Sequence, residues 1–75
     1  MTINEERVLK DLLKDGFTYI TKVDGDNNHF RITDDKRSIH SLYLNMQGNP
    51  MFGLKGKMFS FLRKGHKYSI KELLK

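Results

Sequence analysis

His29, His40 and His66 are the only side chains of this sequence that titrate near neutral pH. Arg31 stands two residues beyond the first of them, and Arg37 six further on. Metal-independent RNA cleavage needs a base to activate a ribose 2′-hydroxyl and a cation to hold the phosphate, tasks that suit an imidazole and an arginine. Residues 29 and 31 share one face of any strand that contains them. The reading is therefore His29 as general base, with Arg31 or Arg37 as phosphate clamp. Its competitor is a half-exposed strand histidine with no catalytic role. His40 reads as sheet surface or packing, although a strand pairing can set it beside His29. His66 reads as an exposed turn residue.

A second group of residues points to anions. Gly53-Leu54-Lys55-Gly56-Lys57 offers glycines for close approach and two lysines for charge. If a helix begins there, its free N–H groups and dipole add to the attraction for phosphate. Arg63 and Lys64 follow within the same stretch. The charge is unevenly spread: residues 46–75 hold seven Lys/Arg against one acid, whereas residues 1–45 hold seven against eight. All of the +5 net charge thus comes from the C-terminal two-fifths, interleaved with Met58, Phe59, Phe61, Leu62 and Tyr68. A basic, aromatic-containing segment is the footprint of a polyanion binder, most often a nucleic acid. The plainer reading is a solvated face that keeps a small protein soluble. Arg31, Arg37, Lys55, Lys57, Arg63 and Lys64 form the expected nucleic-acid-binding set.

Other chemistries have little to stand on. Without cysteine the chain has neither a disulfide framework nor a cysteine zinc site, which fits a reducing cytoplasm. Asp24-Gly25-Asp26-Asn27-Asn28 lacks the closing glutamate of a calcium loop and reads as a tight turn. Asp34-Asp35 is turn chemistry as well. No nucleotide-binding glycine loop and no cofactor motif is present, so neither a metal nor a cofactor is expected. The polar, acidic start Met1-Thr2-Ile3-Asn4-Glu5-Glu6 is the opposite of a signal peptide, and no apolar run has the ~20 residues of a membrane span.

The elements that must position these residues fit one small domain over residues 1–75. Val8, Leu9, Leu12 and Leu13 make an apolar stripe over a helix from Asn4 to Asp15. Thr2 and Glu5 have capping-box spacing, and Gly16 sits where a left-handed residue stops a helix. Phe17 to Val23 is a strand with Phe17, Tyr19 and Val23 on one face. His29 to Thr33 is a second, with Phe30 and Ile32 together, and Ser38 to Leu44 a third. Residues 45–53 read as loop. Leu54, Met58, Phe61 and Leu62 share helical spacing, with Gly65 ending that helix; a hairpin of residues 57–63 with 66–72 is the rival. Ser69-Ile70-Lys71-Glu72 is a second capping box that opens a short final helix with Leu73 and Leu74. The fold class is α+β, in the order α-β-β-β-α: a three-stranded antiparallel sheet packed by two helices, then the C-terminal turn of helix.

That layout resembles the HicA-type toxins of toxin–antitoxin pairs. The similar stretches are Leu12-Leu13-Lys14-Asp15-Gly16-Phe17, residues Phe30 to Arg37, residues Leu54 to Lys64, and Ser69-Ile70-Lys71-Glu72-Leu73-Leu74. The resemblance implies a fold like the double-stranded-RNA-binding domain, messenger-RNA cleavage, and a cognate antitoxin as partner. The family has Gly-Ser-His at the start of its second strand, where this chain has Gly25-Asp26-Asn27. Asn27 stands at the catalytic histidine's position, and a carboxamide exchanges no proton near neutral pH. His29 lies two residues on, on the same pleat face.

The expected function is binding of structured RNA, with double-stranded RNA as one option, and with cleavage weakened by Asn27. The alternative is a non-catalytic interaction protein, a small regulator or phage-type inhibitor docking on a nucleic-acid-handling protein. A winged-helix DNA binder ranks third, since only one helix precedes the strands.

Overall fold

The computed structural model describes residues 1–24, 28–45, 49 and 57–75. Asn27, Lys55 and the glycine-lysine stretch 53–56 lie outside those residues. The described elements run α1 (Ile3–Lys14), β1 (Phe17–Asp24), β2 (His29–Asp34), β3 (Ile39–Tyr43), β4 (Lys67–Ser69) and α2 (Ile70–Leu73). The strands form one antiparallel sheet in the order β3-β2-β1-β4. The class is α+β, and the sheet has one strand more than the sequence reading gave it.

Helix α1 forms for the expected reasons. Thr2 and Glu5 close a capping box, with Glu5 N–H donating to the Thr2 hydroxyl at 3.1 Å and Thr2 N–H to Glu5 Oε1 at 2.8 Å. Gly16 follows the helix at φ +92°, where any side chain would be strained. Val8, Leu9 and Leu12 turn inward onto Ile20, Phe30, Ile32, Leu44 and Ile70. Phe30 and Phe59 meet edge to face at 5.5 Å in the middle of this core. Ser69 caps α2 by accepting from Glu72 N–H at 3.3 Å.

Residues 57–64 depart from the expected helix, and they are not half of a hairpin either. They run as turns. The N–H of Met58 donates to Asn28 Oδ1 at 2.9 Å, and that of Phe59 donates to Glu5 Oε2. Both donors are thereby satisfied from distant parts of the chain, and Phe59 takes φ +57°, which ends any α-helical run. Met58, Phe59 and Leu62 still fill the core while Phe61 stays 49% exposed. The turns return the chain along β1, where Gly65 N–H donates to the Lys22 carbonyl at 2.9 Å. From there Lys67–Ser69 pairs with Thr21–Tyr19 as the fourth strand.

A register shift between Phe17 and Tyr19 separates residues expected on one face. Phe17 packs against the core, whereas Tyr19 is exposed on the opposite side. Among the described residues no helix is long and apolar enough to cross a membrane.

Candidate nucleic-acid interface

The pairing register decides what each face of the sheet carries. Phe30 lies opposite Leu42 and Lys22, Ile32 opposite Ile20, and Ile20 opposite Tyr68. This face holds the core and packs under α1 and α2. Strand geometry sends the alternate residues to the other side. They form three rows across the strands: Tyr43 with His29; Ser41, Arg31, Thr21 and Lys67; and Ile39, Thr33, Tyr19 and Ser69.

The middle row sets Arg31 and Lys67 two strands apart, about 10 Å at the backbone, with Thr21 between them. Both cations are exposed. Lys67 leans over the Tyr19 ring with Nζ 4.4 Å from its centroid, a cation–π contact. On the far side of Arg31, His29 and Tyr43 stack nearly parallel, 4.1 Å apart at an interplanar angle of 8°. The face thus carries the stacked His29–Tyr43 pair, with Asp24 paired to His29 beyond a bulge, then the Arg31–Lys67 row, then Tyr19 and Ile39 in the third row.

Beside Tyr19 the surface sinks into a groove of about 460 Å³ lined by Thr18, Tyr19, Thr33, Asp34, Asp35, Arg37, Ile39 and Lys67. Asp34 organises its rim. The Oδ1 atom accepts from Ser38 N–H at 2.8 Å and Lys36 N–H at 3.0 Å, and Oδ2 lies 3.1 Å from His40 Nε2. The Ser38 bond first, and then the His40 contact, hold the Asp34 carboxyl below its ordinary range despite partial burial. Arg37 occupies that turn at φ +67°.

The expected site residues are only partly gathered. His29 and Arg31 share the open face, and Arg37 reaches the groove. His29 Nε2, however, is buried and has no hydrogen-bond partner, so in this conformation that nitrogen presents no open approach to a ribose hydroxyl. His40 is not its neighbour: it pairs with Ile32 instead, meets the Phe17 ring at 5.3 Å and contacts Asp34. The core pairs Phe30–Leu42 and Ile32–Ile20 fix that register, and a shift by one residue would turn every apolar side chain outward. His66 is exposed, with its ring 4.9 Å from Tyr68. Lys57, Arg63 and Lys64 are exposed on the connection into β4. The backbone N–H of Arg63 donates to the Tyr68 hydroxyl at 3.0 Å, and none of the three belongs to the strand pairs that form the Arg31–Lys67 row.

Tyr19, Tyr43, Lys67 and Ile39 are the face residues that sequence reasoning missed. Their signal was present as aromatic and basic residues at alternating strand positions. Without the register, nothing aligned those positions across four strands. Comparisons with protein-family models, with curated proteins and with solved structures find no match to this chain.

Proposed function

We propose that this chain binds RNA through the open face of its sheet. One observation carries the reading: the face opposite the core presents Arg31 and Lys67 in one cross-strand row, flanked by Tyr19 on one side and stacked His29–Tyr43 on the other. Cations that meet phosphates and rings that meet bases are what a nucleic-acid platform on a sheet requires. The net charge of +5 points to the same class of partner. We read the function as binding without cleavage, because His29 Nε2 is buried and the Asn27 carboxamide neither takes up nor releases a proton near neutral pH.

The test is a titration of fluorescein-labelled RNA followed by anisotropy at several salt concentrations. Affinity should fall steeply with salt, and Lys67→Gln or Arg31→Gln should reduce the log–log slope by about one phosphate's worth, ~0.7 to 0.9. RNA incubated with the protein and excess chelator should remain intact. Cleavage that disappears in His29→Ala would replace binding by a metal-independent ribonuclease.

Ile39 at 68% exposure and Phe61 at 49% favour one second reading, a non-catalytic protein that docks on a partner through apolar contacts. Complex formation with that partner would survive high salt and be lost in Ile39→Asp or Phe61→Asp.

A further inference from the structure

We infer that the RNA taken by this face is single-stranded, and that one unpaired base seats in the groove between Tyr19 and Ile39. The inference rests on the RNA-binding reading and specifies its ligand.

The groove and the row beside it are complementary to the two ends of a nucleotide. Arg31 and Lys67 lie on one side and supply positive charge for a phosphate. Tyr19 and Ile39 belong to the next row, about 7 Å along the strands, and both are exposed, at 40% and 68%. They offer a ring and an apolar side chain to the faces of a base. Beyond them the groove is lined by Asp34 and Asp35. Ser38, Lys36 and His40 already engage the Asp34 oxygens, so the exposed Asp35 is the carboxylate left to accept from a base edge. A carboxylate repels phosphate and accepts hydrogen bonds from N–H donors, so the strand binds with phosphate toward Lys67 and base edge toward Asp35. Arg37, at the same rim, limits the negative charge there.

This arrangement discriminates against a duplex. In A-form RNA the bases are stacked on each other and their Watson–Crick edges are paired, which leaves no ring face for Tyr19 and few edge donors for that carboxylate. Protein modules that read bases by stacking do so on splayed, unpaired nucleotides. The groove volume of about 460 Å³ is in the range of small-ligand sites.

The experiment compares a fluorescein-labelled, mixed-sequence RNA of about sixteen nucleotides without self-complementarity, within the usual site size, with the same strand annealed to its complement. Wild type, Tyr19→Leu, Tyr19→Phe and Lys67→Gln are titrated at one fixed salt concentration. Single-strand binding should exceed duplex binding at least tenfold. Tyr19→Leu should weaken it about ten- to a hundredfold, as expected for one lost stacking ring, while Tyr19→Phe stays near wild type. Thermal unfolding of each variant shows that the fold is retained. Duplex binding as tight as single-strand binding, or an unchanged Tyr19→Leu, would overturn this inference and leave RNA binding standing. Absence of binding to either ligand would overturn both.

Discussion

Glu5 is the residue on which most of the tertiary arrangement converges. It is 7% exposed, caps α1 through Thr2, and accepts the N–H of Phe59 from 54 residues away. Burial raises the energy of its charged form. The N–H groups of Thr2 and Phe59 and the Thr2 hydroxyl overcome this and hold its pKa below the ordinary 4.5. A carboxyl depressed in the folded state stabilises the protein fully above its unfolded pKa and loses that contribution as pH falls through the folded value. Chemical denaturation should therefore show stability declining below about pH 4.5, and Glu5→Gln should flatten that decline. At pH 7 Glu5→Ala should cost about 2–4 kcal/mol, since it removes a cap and strands a buried N–H. Asn28 carries a similar load. It is fully buried at φ +47°, and its side chain serves Met58. Asn28→Ala and Asn28→Gly both lose that bond, but only alanine also resists the left-handed backbone. Urea titrations should find Asn28→Ala the less stable of the two by about 1 kcal/mol.

At the scale of elements, the connection into β4 is the decisive piece. Its residues have helix-like apolar spacing, yet side chains from α1 and the β1–β2 turn claim its N–H groups. The reward is a fourth strand, and with it Lys67 beside Tyr19. Gly65 makes the reversal at φ +79°, and a Cβ there would meet nothing within 4 Å. Gly65→Ala should thus cost only its backbone strain, about 1–2 kcal/mol by denaturant midpoint. RNA affinity should remain unchanged wherever the variant is folded. Loss of binding in folded Gly65→Ala would mean that β4 placement is more sensitive than this geometry implies. The shift at Phe17–Tyr19 works on β1 in the same way, sending Phe17 to the core and Tyr19 to the open face.

For the whole molecule, the layers divide labour by face. Both helices and the apolar core occupy one side of the sheet, and the described residues place no helix on the other. A single-layer sheet of this size gains its stability from the covered face. The open face is then free to hold Arg31, Lys67 and Tyr19 in fixed positions, because the strands beneath them are anchored by Phe30, Ile32 and Ile20. In the function proposed above, long-range charge would bring the anion to the protein and the rows on the sheet would decide what is held.

Much of this was legible in the chain. The stripe of Val8, Leu9 and Leu12, the capping spacings of Thr2–Glu5 and Ser69–Glu72, and the alternation of Phe30 and Ile32 are local patterns. Local physics determines them, because periodicity and capping depend on neighbours three or four residues away at most. The excess of positive charge is likewise a property of composition. The fate of residues 57–64 was not legible, since their helical spacing competed with hydrogen bonds from Asn28 and Glu5 that exist only after the chain has folded. Nor was the candidate site. Tyr19, Arg31 and Lys67 lie far apart in sequence, and only strand register makes them neighbours. The sequence by itself determined the class, the first helix, three strands and the sign of the charge. Tertiary structure decided the fourth strand and the composition of the open face, because long-range pairing aligns residues that no local pattern connects.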